Sequence, residues 1–463
     1  MAIKRIGNER ATVARRHRII ICGAGICGVS AAYFLAKSGL TDVLLIDERP
    51  PLTLTSDRST EYYRNWWPDP AILALMNRSI ALLERLAEES RNSFHMNRRG
   101  YLYVIGRADG VPGLLATAAR ISEIGGGRLR THEKTDAGYQ AHAPDGYRGQ
   151  PDGADLFLGR HLINARFPCL TPLAAAALHV RKAGWLSAQQ LGMYLLDQVR
   201  AMGGTIISGR VVAVDVAAGG VQGVRLSGGE HLECAAFVDA AGPYLKETAA
   251  LLGIELPVQT ELHLITAFKD PLSVIPRDAP LLIWGETQSL QWQDHERDFL
   301  NADAETGWLT HALPSGAHAR PEGPADSQSV LMLWDYRTRT LDPAFPIPAD
   351  EQYPEIVLRG LSAMLPGLRA YIGRAARPQI DGGYYVKTPE NRLLACPLPV
   401  EGAYVLGAVS GYGIMASCGA GELLAAHIAG TPLPSYAPEF SLARYDDPNY
   451  QKRLEAWSDF GQL

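Results

Sequence analysis

Residues 19–47, IIICGAGICGVSAAYFLAKSGLTDVLLID, decide the fold of this 463-residue chain. The apolar runs at 19–21 and 43–46 have the length of buried strands. Between them, the turn from Gly23 to Gly28 leads into a helical pattern. We therefore predict a strand–helix–strand unit whose first connection is a glycine-rich turn.

This turn has the residue types that a dinucleotide requires. Gly23 permits the tight turn, Gly25 lets the backbone approach a pyrophosphate, and Gly28 lets the helix pack closely on the strand. The start of the helix offers N–H groups and a positive dipole end to phosphates. Asp47 follows Gly28 by 19 residues, close to the spacing of about 20 expected for a ribose-binding carboxylate. The residues predicted to bind the dinucleotide here are Gly23, Gly25, Ile26, Cys27, Gly28, Asp47 and Glu48.

Composition narrows the class of protein. Hydrophobic residues make up 47% and charged residues 20% of the chain, which is typical of a globular protein of two joined domains at this length. The net charge of −5 gives no reason to expect nucleic acid or an acidic membrane as partner. Six cysteines without metal-ligand spacing indicate a reducing compartment and predict no metal site. No apolar stretch is long enough to span a membrane, and we expect a cytoplasmic location.

Beyond the first unit, the pattern predicts a second sheet and two insertions. Residues 131–156 and 285–329 lack periodicity and contain many Gly, Pro and charged residues, so we expect them to be surface insertions. Apolar runs between and after them predict an antiparallel sheet in a second domain. These β-type runs lie at 262–268, 281–284 and 330–334.

A second glycine-rich strand-to-helix junction follows near the end of the chain. A strand at 404–407 is followed by Gly411 and Gly413 and then by a helical pattern. Two such junctions can hold opposite ends of one long ligand.

The chain resembles the FAD-dependent D-amino acid oxidase superfamily, and within it the glycine oxidases and sarcosine oxidases. The resemblance rests on five segments in a fixed order: the 23–47 unit, AGWL at 183–186, VDAAGP at 238–243, YYVKTPE at 384–390, and GAVSGYGIMASCGAGELLA at 407–425. It implies an α/β fold: a Rossmann-like, glutathione-reductase-like FAD-binding domain interleaved with a mixed, mainly antiparallel β-sheet substrate domain.

The resemblance also predicts how the chain divides. The predicted FAD-binding domain comprises 18–110, 183–250 and 372–440; the substrate-binding domain comprises 111–182 and 251–371; and 1–17 and 441–463 are terminal extensions.

The cofactor implied by the resemblance is FAD rather than NAD. Monomeric sarcosine oxidases attach their flavin through a cysteine at the position of Gly383, so we predict that FAD is bound non-covalently here. Beyond the first unit, the implied FAD contacts are Ser59 and Thr60 beside the pyrophosphate and flavin, Val211 by the adenine, Ala241 and Gly242, and Gly411, Tyr412, Gly413 and Ile414 towards the flavin.

The implied reaction removes a hydride from a carbon bearing an amine, passes it to the flavin and leaves an imine. A carboxylated substrate needs an arginine fork, for which Arg320 is the first candidate and Arg64 the second. Tyr385 and Tyr412 are candidate hydroxyl donors near the flavin, and Lys387 is a candidate cation that would stabilise negative charge. A packing or surface role remains the alternative for each of these five residues.

Three functions follow from these observations. The favoured one is an FAD-dependent oxidase of an amino acid or amine that uses O2 and forms H2O2. The second is a dehydrogenase for similar substrates that passes electrons to another acceptor. The third is a flavin-binding assembly protein without turnover. The sequence leaves the substrate, its stereochemistry and the oligomeric state open.

Overall fold

A computed structural model describes residues 18–374 and 378–456. The predicted extension at 1–17 and residues 457–463 of the predicted extension at 441–463 lie outside the described residues. The chain divides into two compact units. Unit one contains the described chain up to Asp57, Gln189–Gln259, and the described chain from Val386 onward; unit two contains Arg58–Ala188 and Thr260–Tyr385.

The strands and helices follow one another along both units. The strands are β1 Ile19–Cys22, β2 Val43–Asp47, β3 Tyr62–Arg64, β4 Tyr101–Ile105, β5 Leu129–His132, β6 Ala154–Leu158, β7 Ala176–Val180, β8 Ala183–Trp185, β9 Thr205–Ser208, β10 Val211–Ala217, β11 Gly220–Leu226, β12 His231–Glu233, β13 Ala236–Asp239, β14 Gln259–Lys269, β15 Leu281–Trp284, β16 Gln288–Ser289, β17 Ala312–Leu313, β18 His318–Pro321, β19 Ser329–Leu333, β20 Arg339–Thr340, β21 Gln379–Lys387, β22 Leu394–Pro397 and β23 Ala403–Gly407. The helices are α1 Ile26–Lys37, α2 Pro70–Glu89, α3 Val111–Ile121, α4 Arg160–Arg166, α5 Ala188–Ala201, α6 Leu245–Ala250, α7 Asp294–Asn301, α8 Tyr353–Met364, α9 Gly413–Ala429 and α10 Pro448–Glu455.

Unit one is built on a six-stranded sheet in the order β22-β23-β13-β1-β2-β9. All neighbours are parallel except the edge strand β22. Helix α1 follows β1 and helix α9 follows β23, so both helices begin at the edge where the parallel strands end. The two helices pack on each other, and the Ser30 hydroxyl donates to the Ser417 carbonyl over 2.8 Å. The predicted strand–helix–strand unit is thus present as β1, α1 and β2, with the small antiparallel sheet β10-β11-β12 in the same unit.

Unit two is built on a ten-stranded mixed sheet. Its order is β20-β14-β19-β18-β15-β4-β7-β6-β5, with β21 also paired to β14. The pairs β4–β15 and β5–β6 are parallel, and the other registered pairs are antiparallel. The predicted fold class, α/β with a second, mainly antiparallel sheet, is confirmed.

The two faces of this sheet differ in character. Side chains alternate between faces along a strand, and Leu102, Leu282, Ala319 and Met332 bury one face in an apolar core that includes α8. Cross-strand register places the alternate residues of β4, β15 and β18 on the other face. We call it the polar face; it carries Tyr101, Tyr103, Leu281, Ile283, His318 and Arg320.

The observed units do not follow the predicted domain bounds at 58–110, 183–188, 251–259, 378–385 and 441–456, and the two supposed insertions contain strands. Residues 58–110 belong to unit two, because β4 pairs with β15 and β7, and β3 pairs with β8. The supposed insertion at 285–329 contains β18, a fully buried strand between β15 and β19. The supposed insertion at 131–156 contributes the start of the buried strand β6, so neither segment is only a surface loop.

Two further properties bear on the class of protein. Within 18–374 and 378–456, none of the helices has the length and apolar character needed to cross a membrane. Each of the six cysteines is described and is a free thiol.

Candidate functional site

The glycine turn between β1 and α1 brings three backbone segments into close contact. Gly23 has a φ of +108°, and a Cβ there would lie 2.3 Å from the carbonyl oxygen of Ala240, which follows β13. A Cβ at Gly28 would lie 2.0 Å from the carbonyl oxygen of Gly23. Since real Cβ atoms do not approach oxygen so closely, only glycine fits these two positions.

Helix α1 begins directly after this turn. Gly25 is its N-cap residue, with extended backbone and no side chain to satisfy the first N–H groups. The Ile26 N–H donates to the Ser56 hydroxyl over 3.0 Å. Burial raises the pKa of the Cys27 thiol to about 12, so this cysteine packs as a neutral residue. The helix start thus offers an N-terminal dipole end and a hydroxyl to an anion.

Asp47, at the end of β2, organises the neighbouring backbone. Its carboxylate accepts from the Ala24 N–H over 2.8 Å and from the Arg49 N–H over 2.9 Å. Glu48 is exposed and forms an ion pair with Arg49 at 2.5 Å. Asp47 is therefore held in a fixed orientation while part of it stays accessible.

A cavity of about 510 Å³ opens beside these residues, wholly within unit one. The acids Asp47 and Glu48 and the cations Arg49 and Arg210 line it, together with apolar side chains that suit a base. The remaining lining residues are Cys22, Gly23, Ile46, Leu54, Gly209, Val211, Val212, Ala241, Tyr244, Glu247, Thr248 and Leu251. A carboxylate at the end of β2, apolar walls and a glycine turn are the features that fit the adenosine half of a dinucleotide.

The structure gathers only some of the predicted nucleotide residues around this cavity. Gly23, Asp47, Glu48, Val211 and Ala241 line it. Sequence reasoning missed Arg49, Arg210, Tyr244, Thr248 and Leu251, which have no motif of their own and come together through the sheet.

The second glycine-rich junction forms the start of α9. Tyr412 is the N-cap residue of α9, and its hydroxyl donates to the Asn391 carbonyl over 2.8 Å. Burial raises the pKa of this hydroxyl well above its usual range. A Cβ at Gly413 would lie 2.9 Å from a Val409 methyl, and Ile414 is buried.

The remaining predicted cofactor residues are two exposed glycines of unit one and two hydroxyl-bearing residues of unit two. Gly411 is exposed just before α9, and Gly242 is exposed after β13 with a φ of +57°. In unit two, the Ser59 hydroxyl accepts from the Glu61 N–H over 2.9 Å. Thr60 beside it is buried.

Arg320 is buried on the polar face and already has several partners. Its guanidinium donates to the Thr60 carbonyl over 3.2 Å, forms an ion pair with Glu322, and lies 3.5 Å from the Glu61 carboxylate. Its carbon centre also lies 5.0 Å from the Trp185 ring. Two carboxylates already neutralise this cation, which leaves it poorly disposed to grip a third.

Arg64, the second candidate, lies on β3 of the same unit. It is 4% exposed and donates to the Tyr103 hydroxyl. Its guanidinium lies 4.4 Å from the Trp67 ring and 5.8 Å from the Tyr101 ring. Arg64 is thus a buried cation that contacts aromatic side chains, among them Tyr101 and Tyr103 of the polar face.

Tyr385 belongs to a charged cluster that includes a histidine. Its ring stacks on His263 with centroids 3.8 Å apart. The two imidazole nitrogens of His263 face Asp335 at 2.8 Å and Glu261 at 3.2 Å. Desolvation raises the pKa of Tyr385 well above its usual range. Lys387, two residues further along β21, is half-buried in unit one.

His318 lies on β18 at the polar face, and as a lone histidine it has no motif in the sequence that would indicate a function. It is 1% exposed, and its Nδ1 lies 2.7 Å from the Gly316 carbonyl, which can only accept. Burial lowers the pKa of His318 to about 4. The neutral imidazole therefore donates from Nδ1–H to the Gly316 carbonyl. Its Nε2 keeps a lone pair that has no partner among the described residues.

Part of the chain is similar in sequence to curated dehydrogenases. Dimethylglycine dehydrogenase, mitochondrial, of Homo sapiens is 25% identical over 319 residues, covering 65% of this chain and 33% of that protein; the Mus musculus protein has the same values. The chain thus spans a third of the length of these curated relatives.

Solved structures share the fold at low identity. L-proline dehydrogenase from P. horikoshii superposes with a TM-score of 0.71 at 17% identity, covering 93% of this chain and 98% of that one. Iminodiacetate oxidase from Chelativorans sp. BNC1 gives 0.68 at 19%, with 92% and 98% covered. Glycine oxidase from Geobacillus kaustophilus gives 0.68 at 16%, with 93% and 99% covered.

The model of one family, DAO, described as FAD dependent oxidoreductase, matches residues 18–427. This match covers most of the chain, and it confirms the resemblance drawn from the sequence and the prediction of FAD. The chain belongs to the DAO family of FAD-dependent oxidoreductases.

Proposed function

We propose that unit one binds FAD non-covalently, with its adenosine half in the 510 Å³ cavity. The main support is that three features occur together: the Gly23–Gly28 turn, the start of α1 without a side-chain cap, and the Asp47 carboxylate held by backbone N–H groups. The start of α1 would hold the pyrophosphate, and Asp47 a ribose. Gly383 offers no side chain for a covalent bond to the flavin.

We assign contacts with the flavin end of FAD to four residues at the start of α9, Gly411, Tyr412, Gly413 and Ile414. The positive end of a helix dipole favours negative charge, and FAD supplies a hydride acceptor that becomes negatively charged on reduction. The start of α9 and the Lys387 ammonium would stabilise that charge. Ser59 and Thr60, predicted from the resemblance as FAD contacts, belong to unit two, and their role stays a prediction.

The substrate we propose is an amino acid or another amine, bound at the polar face of unit two. The proteins similar to this chain include enzymes named for dimethylglycine, proline, glycine and iminodiacetate, which all carry an amine next to a carboxylate-bearing carbon. A dry, aromatic surface favours the neutral amine that hydride removal requires.

Within this face, we assign the substrate carboxylate to Arg64 rather than to Arg320. Arg320 is neutralised by Glu61 and Glu322 and fixes the 60–61 backbone. The lone pair on His318 Nε2 is suited to accept a hydrogen bond from the substrate amine. Tyr385 would contribute a hydroxyl.

The test is anaerobic mixing of the purified yellow protein with a panel of amino acids and amines. Loss of the oxidised flavin absorbance with one class would identify the substrate class. Readmission of air then separates the electron acceptors: rapid recovery with H2O2 formation supports the favoured oxidase, and a flavin that stays reduced supports a dehydrogenase.

Two outcomes contradict the proposal. A yellow protein that no amine reduces would support the flavin-binding assembly protein instead. A protein that binds no FAD on reconstitution would overturn the assignment of the cavity.

A further inference from the structure

The C-terminal segment surrounds one buried carboxylate, that of Glu390. We call Ala437–Glu455 the C-terminal clasp; it comprises two 3-10 helices, Ala437–Phe440 and Leu442–Asp446, and α10. The side chain of Glu390 has 0% exposure. A carboxylate so fully buried is stable only when several donors replace water.

The clasp provides all of these donors. Arg444 Nε donates to Glu390 over 2.8 Å, and its Nη2 lies 2.7 Å from the same oxygen. The Tyr445 hydroxyl donates over 2.9 Å and the Tyr450 hydroxyl over 2.8 Å. Glu390 thus ties the segment that follows β21 to residues more than fifty positions away.

Arg444 also binds the backbone of the segment that follows Glu390. Its guanidinium donates to the carbonyl of Arg392 over 3.2 Å and to that of Leu393 over 3.4 Å. Within the same loop, the Thr388 hydroxyl donates to the Arg392 carbonyl over 2.7 Å and accepts the Arg392 N–H over 2.9 Å. The loop at 388–393 therefore has one conformation, held by the clasp.

This loop contacts the start of α9. The Asn391 carbonyl accepts from the hydroxyl of Tyr412, the N-cap residue of α9, over 2.8 Å. The Ser410 N–H also donates to the carbonyl of Val386, at the end of β21, over 2.9 Å. A continuous series of contacts thus connects Arg444, Glu390, the loop and the first residue of the helix.

We propose that Arg444 and Glu390 are positioning residues: the clasp fixes the 388–393 loop and, through Asn391 and Tyr412, the start of α9. The inference rests on the proposed function, which assigns that helix start to FAD. The C-terminal segment, predicted as an extension, then acts on the cofactor without touching it.

The test compares Arg444→Met with Arg200→Met in the full-length protein. Arg200 forms an exposed ion pair with Asp197 on α5 of the same unit, where a lost pair has little effect. Titration of apoprotein with FAD gives the dissociation constant, and equilibration with redox dyes gives the midpoint potential of the bound flavin. We expect Arg444→Met to weaken FAD binding about tenfold and to make the potential more negative, since a displaced helix start stabilises negative charge less well.

Tyr412→Phe provides a second variant that removes one hydroxyl and leaves the clasp intact. If both residues act through the same contacts, the double variant shifts the potential no further than Arg444→Met alone. Additive shifts would overturn the inference. If Arg444→Met does not fold, Tyr412→Phe alone decides the question, and an FAD affinity and potential equal to those of the wild type would overturn the inference. Unchanged FAD affinity and potential in a folded Arg444→Met would also overturn it.

These results are separate from failure of the proposed function. If the wild-type protein binds no FAD, the assignment of the helix start is wrong. If the wild type binds FAD and Arg444→Met equals Arg200→Met in both readouts, only the role of the clasp is wrong.

Discussion

The α-carbon of Gly28 lies so close to Gly23 that a Cβ at position 28 would be 2.0 Å from the Gly23 carbonyl oxygen. We predict that Gly28→Ala destabilises unit one by about 2–4 kcal/mol, because a backbone atom rather than a flexible side chain must move. Urea unfolding measures this loss, and FAD titration should show weakened binding.

The control is Gly113→Ala, also in a helix. A Cβ there meets nothing within 4 Å, so alanine should stabilise α3 by about 0.5–1 kcal/mol. Equal effects of the two substitutions would mean that the turn relaxes easily around a methyl group.

Asp47→Asn should weaken FAD binding about 10- to 100-fold, since a hydrogen bond to a charged group is worth about 1.5–3 kcal/mol. The amide keeps the shape of the carboxylate but can no longer accept at both positions from Ala24 and Arg49. Fluorescence titration of the apoprotein gives the dissociation constant. Asp42→Asn, at an exposed position before β2 and outside the cavity lining, is the matched control, and equal losses in both variants would argue against a ribose contact at Asp47.

The sequence was sufficient to predict the parts of the fold that are local. The strand, turn, helix and acid of residues 19–47 lie in one continuous stretch, and each residue type follows from backbone geometry there. The helix start at Gly413 could be predicted for the same reason.

Contacts between distant segments explain what the sequence did not predict. Strand β4 pairs with β15, about 180 residues away. The residue types in 58–110 do not indicate which strand β4 pairs with. His318 and Arg320 stand in a Gly- and Pro-containing stretch, yet they are buried because β15 and β19 flank them. Strand formation depends on such neighbours more than on local preference.

The stability of unit one should depend on pH through Asp239. This carboxyl is 0% exposed at the end of β13; burial, with the nearby charge of Glu247, raises its pKa well above the usual range. The folded state then keeps a proton that the unfolded state releases above about pH 4, so stability falls as the pH rises through that range.

Asp239→Asn removes this ionisation and keeps the shape of the side chain. We expect the variant to be more stable than the wild type at pH 8, by about 1–3 kcal/mol, with a difference that shrinks towards pH 4. Thermal unfolding at several pH values measures it. A difference that does not vary with pH would show that Asp239 is ionised in the folded protein.

The stability of the folded protein should also fall in acid because of His318. Burial lowers the pKa of His318 to about 4. Between about pH 6.5 and pH 4, the imidazole is therefore protonated in the unfolded chain but neutral in the folded protein. Stability is therefore lost as the pH falls from about 6.5 to about 4, by up to about 3 kcal/mol at 1.36 kcal/mol per unit. His318→Phe lacks this loss, and urea unfolding at pH 7 and pH 4.5 should show a smaller change than in the wild type.

The control is His161→Phe, since His161 is exposed on α4. It should keep the wild-type change in stability between pH 7 and pH 4.5. If His318→Phe keeps it as well, His318 takes up its proton in the folded protein as readily as in the unfolded chain. At acidic pH its Nε2 would then donate a hydrogen bond and could not accept one from a substrate amine at the polar face.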